Sequence, residues 1–110
     1  MPRHVEGRRV SSQESIERGG DYYVSYTEAG VIEALWFAMP GFSQPLWNRI
    51  GGPGSDDKIQ WVITESSGGA ITVDPSIRSR WNEGLERRCW HGYLKGGVWE
   101  VLDDTVGTDL

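Results

Sequence analysis

Two pairs of β-forming runs, each joined by a short glycine turn, constrain the fold of this chain more than any other feature. Residues 58–65 (KIQWVITE) and 70–77 (AITVDPSI) flank Ser-Ser-Gly-Gly, and residues 88–94 (RCWHGYL) and 98–104 (VWEVLDD) flank Lys-Gly-Gly. Runs rich in branched and aromatic residues with glycine turns between them are typical of antiparallel hairpins. The sequence therefore predicts two hairpins in its second half.

Two further runs add strands to this prediction. Residues 21–26 (DYYVSY) and 31–37 (VIEALWF) are rich in residues that favour strands. Residues 38–57 carry prolines and a Gly-Gly-Pro-Gly tip and are predicted to be loop, and the polar residues 78–88 are predicted to be irregular. We expect a mainly β protein, a small antiparallel sheet or sandwich of about five or six strands.

The composition divides the chain into three parts. Residues 1–20 are polar and poor in large apolar groups, which predicts an extended N-terminal arm. Residues 21–104 contain the strand signals and are expected to form a single β domain, and residues 105–110 are expected to form an acidic tail.

The charge and the cysteine content exclude several classes of protein. The net charge of −5 disfavours binding to a nucleic-acid backbone, which needs clustered Lys and Arg. A single cysteine forms no intrachain disulfide and fits a reducing compartment. The sequence has no apolar run of the length that a secretory signal or a bilayer span requires. We expect no membrane and no nucleic-acid partner.

Cys89 and His91 are the two residues that most resemble a metal or nucleophile site. Two residues apart in a strand, they point to the same face. A zinc site needs four ligands, and the chain offers one Cys and two His, so a small buried thiol beside a hydrogen-bonded histidine is the favoured interpretation. A cysteine nucleophile would need a base and an orienting group, and no oxyanion loop is evident nearby. We predict no cofactor, with Cys89 and His91 as the remaining metal candidates.

The paired carboxylates are interpreted as surface residues. Asp56-Asp57 and Asp103-Asp104 both lie in polar stretches, where solvated turn residues are the usual interpretation. We predict no catalytic residue among them.

Tryptophan is the most unusual part of the composition. The chain has six, and most should fill the core of a thin sheet. Trp47 and Trp81 lie in segments predicted to be irregular, and Arg80 precedes Trp81. Exposed aromatics beside arginine favour protein–protein contacts, so these three residues are predicted to bind a protein partner.

The second half of the chain resembles a small uncharacterised domain family of bacteria and their phages. The resemblance rests on IQWVI, on residues 69–77 (GAITVDPSI) and on residues 89–102 (CWHGYLKGGVWEVL). Some members of that family are labelled ammonia monooxygenase without good reason, and some lie beside bacterial ubiquitin-like modification genes. Many carry a cysteine cluster where this chain has residues 37–42 (FAMPGF), so the resemblance implies that Cys89 and His91 are remnants of a metal site.

These observations predict a function that involves no catalysed reaction. We expect a non-enzymatic phage or prophage structural protein, such as a capsid decoration, head–tail or tail component, located in the virion or in the bacterial cytoplasm before assembly. Its expected partners are copies of itself or a capsid or tail protein, with no small-molecule substrate. The alternatives are an adaptor or regulator that binds a host protein, a degenerate zinc-binding domain, and a zinc- or cysteine-dependent hydrolase.

Overall fold

Strands dominate the computed structural model of this protein, which describes residues 2–42 and 44–106. No α-helix occurs in these residues, and a single 3-10 turn lies at Gln13–Ser15. The prediction of a mainly β protein is confirmed. The ten strands are β1 (Arg3–Glu6), β2 (Arg8–Arg9), β3 (Asp21–Tyr26), β4 (Ile32–Ala38), β5 (Trp47–Gly51), β6 (Val62–Glu65), β7 (Ile71–Asp74), β8 (Ile77–Glu83), β9 (Glu86–Lys95) and β10 (Val98–Val101).

The strands form two four-stranded sheets and one separate hairpin. One sheet has the order β1-β10-β9-β8, and the other has the order β2-β3-β4-β5. The pair β6-β7 forms a sheet of its own and is tied to the first sheet by the bond from the Gly97 amide to the Ile71 carbonyl, 2.9 Å. Strands β5 and β8 are therefore the outermost members of their sheets.

Both predicted hairpins are present. Strands β6 and β7 pair antiparallel, and Lys95 pairs with Val98 across the turn between β9 and β10. Gly96 and Gly97 both have positive φ, 56° and 81°, which is the backbone that a two-residue hairpin turn of this twist requires.

Two strands lie where irregular structure was predicted. Strand β5 falls within the predicted loop, and β8 with the start of β9 covers the predicted irregular segment 78–88. That prediction is wrong because both strands have few apolar residues and many polar ones, so their sequences carry little strand signal. Pairing with β4 and β9 determines their conformation, and local propensity does not. Strands β5 and β8, together with β1 and β2 in the expected arm, bring the number in the described residues above the five or six predicted.

The first and last segments of the described residues lie against the sheets. Strand β1 pairs with β10, and β2 pairs in parallel with β3, so the expected arm runs along both sheets. Val106 forms an isolated antiparallel bridge with Cys89. Residues 107–110 of the expected acidic tail lie outside the described residues.

The core lies between the two sheets and is built on aromatic rings. The rings of Trp90 and Trp99 lie 5.6 Å apart, and Phe37 of the opposite sheet lies 5.1 Å from Trp99. Both indoles are completely buried, and each donates a 2.9 Å hydrogen bond to a backbone carbonyl, that of Pro40 or Gly20. Satisfied donors make such bulky residues stable fillers of a thin core.

Candidate functional site

Ser76 and His91 meet on the outer face of the β8–β9 hairpin. Arg78 pairs directly with His91, and residues two apart in a strand share a face, so Ser76 and Arg78 lie on either side of the imidazole. The Ser76 Oγ atom is 2.9 Å from His91 Nε2. This is the hydrogen bond that a serine nucleophile forms with its base.

Asp104 completes the arrangement from the other side of the ring. It lies in a turn closed by the bond from the Thr105 amide to the Leu102 carbonyl, 3.0 Å, just after β10. Its Oδ1 and Oδ2 atoms are 2.9 and 3.0 Å from His91 Nδ1. The hydrogen bond from His91, with a further contribution from the positive charge of Arg78, holds the pKa of Asp104 below its usual value.

The two contacts of His91 together define its tautomer. An ionised carboxylate only accepts hydrogen bonds, so the Nδ1–H donates to Asp104. The Nε2 atom then carries the lone pair and accepts a hydrogen bond from the Ser76 hydroxyl. Ser76, His91 and Asp104 thus have the relative geometry of a serine–histidine–aspartate triad, which is recognised by geometry and not by chain order.

The backbone of His91 is held by the segment that carries Asp104. The Thr105 Oγ1 accepts a 3.0 Å bond from the His91 amide and donates a 3.1 Å bond to its carbonyl. The Leu102 amide donates to the same carbonyl, 2.9 Å. These bonds fix Asp104 and His91 relative to each other because one short segment binds both the side chain and the backbone of the histidine.

Two further contacts fix the neighbours of the site. The Trp61 Nε1 atom donates to the Ser76 carbonyl at 3.2 Å. Gly92, next to His91, leaves no room for a side chain, since a Cβ atom there would lie 2.6 Å from the Glu100 carbonyl oxygen and 2.8 Å from the Trp90 ring. The absence of a side chain at Gly92 allows β9 and β10 to approach closely beside the histidine.

Arg78 contacts both acidic and basic members of the site. Its Nη2 atom lies 2.7 Å from Asp104 Oδ2 and 3.1 Å from His91 Nδ1. Because the Nδ1–H already donates to Asp104, Nδ1 cannot also accept a hydrogen bond from Arg78. The hydrogen bond of Arg78 is therefore the one to the Asp104 carboxylate. Arg78 therefore orients the carboxylate.

The site is open to solvent on the outer face. The His91 side chain retains 16% of its exposure, and the Asp104 side chain retains 50%. Ser76 is half-buried on this face.

The two predicted metal candidates, Cys89 and His91, differ in the contacts that they make. Cys89 shares the face of His91, but Ser76 and Asp104 contact both nitrogens of the His91 ring. In residues 2–42 and 44–106, no group of three or more His, Cys, Asp or Glu side chains is placed to hold a metal ion. The histidine belongs to the triad geometry, and the thiol lies beside it.

The three predicted partner-binding residues lie on the outermost strands of two different sheets, Trp47 on β5 and Arg80 and Trp81 on β8. Trp47 and Trp81 line one cleft of about 250 Å³ between β5 and β8. Arg80 and Trp81 line a second, of about 550 Å³, at the β8–β9 hairpin. The structure brings all three residues to one region.

Sequence reasoning missed Ser76, Arg78 and Asp104. Asp104 does lie exposed in a turn, as the sequence predicts, but that turn also folds back onto His91, which the sequence does not indicate. The pairing of β8 with β9 brings Ser76 and Arg78 to His91, and the segment that follows β10 brings Asp104 there. The sequence signal was a serine directly after a strand, followed by a histidine in a hairpin and a carboxylate beyond it.

Comparisons with known proteins give one informative result. No curated protein and no solved structure matches this chain.

In the described part of the chain, no helix has the length and apolar character needed to cross a membrane.

One family model matches residues 9–102, and its description is "Bacterial ubiquitination-like system serine protease (BubE)". The match overturns two predictions, that of a phage or prophage structural protein and that of a protein without enzymatic activity, because the family is one of serine proteases. It gives no support to a virion location or to capsid and tail partners. It does confirm membership of a small domain family, and the matched range contains Ser76 and His91. This chain belongs to the family of bacterial ubiquitination-like system serine proteases (BubE).

Proposed function

We propose that this chain is a serine protease that acts on a protein of a bacterial ubiquitination-like system. Ser76 is the nucleophile, His91 is the general base and then the general acid, and Asp104 orients and stabilises the imidazole. The observation that carries the proposal is the continuous contact Ser76 Oγ–His91 Nε2–Nδ1–Asp104, with distances of 2.9 Å at both ends. The description of the family supports the same chemistry.

The first half of the reaction forms an acyl-enzyme. The Ser76 Oγ attacks the carbonyl carbon of the scissile bond while its proton passes to His91 Nε2. Asp104 stabilises the positive imidazolium through Nδ1 without taking the proton. When the tetrahedral intermediate collapses, the carbon–nitrogen bond breaks and the Nε2 proton passes to the leaving amine.

The second half returns the enzyme to its starting state. A water molecule gives a proton to His91 Nε2 and attacks the acyl carbon. The ester bond to Ser76 breaks, the carboxylic acid product leaves, and the Nε2 proton returns to Oγ. Every proton moves through the one ring nitrogen that faces Ser76.

The geometry favours serine over cysteine chemistry. The base must contact the nucleophile that it activates, and His91 Nε2 contacts Ser76. A proposal based on Cys89 would leave that contact without a role. The single cysteine and the bacterial family are consistent with action in the bacterial cytoplasm.

Hydrolysis of internally quenched peptides tests the proposal. We expect Ser76→Ala to lower kcat by at least roughly a thousandfold, since the nucleophile is the core of a triad. Ser67→Ala, on an exposed turn, and Cys89→Ser are the matched controls and should retain wild-type rates within about threefold. Full activity in Ser76→Ala, or its loss in Cys89→Ser with the fold intact, would contradict the proposal.

A further inference from the structure

We propose that the free edge of β8 binds an extended segment of the protein substrate, and that arginines near the far end of β8 select acidic side chains in that segment. The inference rests on the proposed function, because Ser76 defines where the reacting bond lies. It names the substrate feature that the enzyme recognises.

Strand β8 offers an unpaired backbone edge that begins at the nucleophile. It is the last strand of its sheet and pairs with β9 on one side. Among residues 2–42 and 44–106, no other strand bonds to the backbone of Ile77–Glu83. Ser76 directly precedes this edge. An extended peptide that adds to such an edge through main-chain hydrogen bonds is a common mode of recognition, and here it would deliver its backbone to the Ser76 hydroxyl.

An apolar cleft lies beside this edge. It occupies about 250 Å³ between β8 and β5, the outermost strand of the other sheet. Trp47 is 45% exposed there. A peptide strand points alternate side chains toward the sheet that it joins, and this cleft can accept one of them. Its lining residues are Met39, Leu46, Trp47, Asn48, Ser79 and Trp81.

A positively charged cleft follows at the far end of β8. It has a volume of about 550 Å³, and three arginines, Arg80, Arg87 and Arg88, line it together with Trp81 and Asn82. Arg88 forms ion pairs with Glu83 and Glu86. Arg80 and Arg87 have no carboxylate within ion-pair distance in the part of the chain that the structure describes.

The charge of this cleft indicates the chemistry of its occupant. The protein as a whole carries a net charge of −5, so a concentration of arginines at one point is a local reversal of sign. Guanidinium groups bind carboxylates through two parallel hydrogen bonds. An acidic side chain of the substrate is therefore the complementary group.

The length of β8 determines where that acidic side chain lies. Arg80 follows Ser76 by four residues, which is roughly 13 Å along an extended strand. A peptide paired with β8 covers the same distance with the same number of residues. We therefore expect the acidic residue about four or five positions from the bond that is cleaved.

A second copy of the chain fits this edge less well than a peptide does. Two copies paired through β8 about a two-fold axis would bring Arg80 and Arg87 of one copy close to those of the other. Like charges in such pairs destabilise the contact. The edge is suited to a partner of opposite charge.

A positional-scanning library of quenched decapeptides tests the inference, with one position at a time fixed as Glu or Lys. We expect wild-type kcat/KM about tenfold higher for Glu than for Lys four or five positions from the cut, mainly through KM. The double variant Arg80→Glu/Arg87→Glu should reverse the preference. Lys58→Glu, which makes the same change of charge as either single substitution but in an exposed loop outside both clefts, should leave it unchanged.

The outcomes separate this inference from the proposed function. Cleavage that requires Ser76 but shows no preference for Glu overturns the inference. A preference for Glu that persists in the double variant also overturns it. In both cases the proposed serine protease function stands. If wild type cleaves no peptide, an NMR titration decides whether the β8 edge binds an acidic segment. 15N-labelled Ser76→Ala protein is titrated with a Glu-rich and with a Lys-rich decapeptide, and the changes in amide chemical shift are followed. Shifts confined to β5, β8 and β9 with the Glu-rich peptide alone support the docking, and their absence overturns it.

Discussion

At the scale of single residues, the site depends on an exposed carboxylate that stays ionised. Half of the Asp104 side chain is accessible to solvent, with a relative exposure of 50%. The hydrogen bond from His91 and the charge of Arg78 nevertheless hold the pKa of Asp104 below its usual value. At neutral pH the carboxylate is therefore charged and keeps the proton of the imidazole on Nδ1, so that Nε2 can act as the base for Ser76.

Replacement of Asp104 by asparagine should disable the base without unfolding the protein. An amide that presents its NH2 group to Nδ1 favours the wrong tautomer, so Asp104→Asn should lower kcat by roughly 10³–10⁴-fold. Steady-state kinetics on quenched peptides measure the loss, and Asp103→Asn in the same turn is the control, expected to stay within about threefold. Equal losses in both variants would show that the turn matters and the carboxylate does not.

Arg78 should act as a positioning residue through Asp104. Its contact with Asp104 is 2.7 Å, with side-chain exposures of 41% and 50%. Arg78→Gln removes a positive charge that lowers the pKa of Asp104. We therefore expect that pKa to rise in the variant and kcat to fall roughly fivefold, as is typical of a partly solvated ion pair.

Carbon-detected NMR of the Asp104 carboxyl measures the pKa, and Arg78→Lys, which keeps the charge, should restore most of the shift. An unchanged pKa together with an unchanged kcat would remove Arg78 from the site.

At the scale of structural elements, the site is assembled by one hairpin and the turn that follows the next strand. The β8–β9 pairing puts Ser76 and His91 on one face. The segment from Leu102 to Val106 returns along β9 and binds it at His91 and Cys89. The same segment carries Asp104, so the orientation of the triad depends on this return.

Thr105 tests that dependence. Thr105→Val keeps the shape of the side chain but loses both hydrogen bonds to the His91 backbone. We expect a loss of about 1 kcal/mol in unfolding free energy, or roughly 4–8 °C in Tm, and a fall in kcat. Thr105→Ser keeps the hydroxyl and should behave as wild type in both thermal unfolding and kinetics. If the valine variant retains full kcat, the bonds serve stability alone.

The elements differ in how well the sequence predicts them. The hairpins β6–β7 and β9–β10 follow from alternating apolar residues and glycine turns, and both are present. Strands β5 and β8 contain few apolar residues among polar ones such as Asn48 and Ser79, so the sequence does not predict them. The triad was missed for a related reason. Ser76 and Asp104 each look like ordinary polar turn residues, and only the strand register reveals that both contact His91.

At the scale of the whole molecule, two sheets share an aromatic core and the N-terminal segment joins them. Strand β1 extends one sheet and β2 the other. Asp21, at the start of β3, is almost completely buried and accepts bonds of 2.9 and 2.6 Å from Arg8 of β2. The backbone amides of Glu17 and Arg18 also donate to it. This ion pair, between the buried Asp21 and the partly exposed Arg8, links the N-terminal segment to the second sheet.

The Asp21 contacts predict a pH-dependent part of the stability. Burial by itself raises the pKa of Asp21, but the hydrogen bonds from Arg8 and from the two amides outweigh it, so the pKa lies below the usual 3.8. A carboxyl with a lowered pKa in the folded state stabilises the fold fully above its unfolded value. That stabilisation is lost as the pH falls through the folded value.

We expect Asp21→Asn to lower the unfolding free energy by about 2–3 kcal/mol at pH 7, and the difference from wild type to shrink as the pH falls below about 4. Urea unfolding followed by tryptophan fluorescence from pH 7 to pH 3 measures it. Glu17→Gln, at an exposed position 3.6 Å from Arg8, is the control and should change little. A difference that is constant with pH would show that the charge of Asp21 is not the cause.

If Ser76 is a nucleophile activated by His91 and Asp104, it should react covalently with a serine-directed reagent. The folded protein is treated at neutral pH with a fluorophosphonate, which phosphonylates activated serines, and intact mass and peptide mapping locate the adduct. We expect one adduct per chain, on Ser76, absent in Ser76→Ala and formed much more slowly in His91→Ala and Asp104→Asn. Labelling of wild type and Ser76→Ala to the same extent, or an adduct at a different serine, would contradict it.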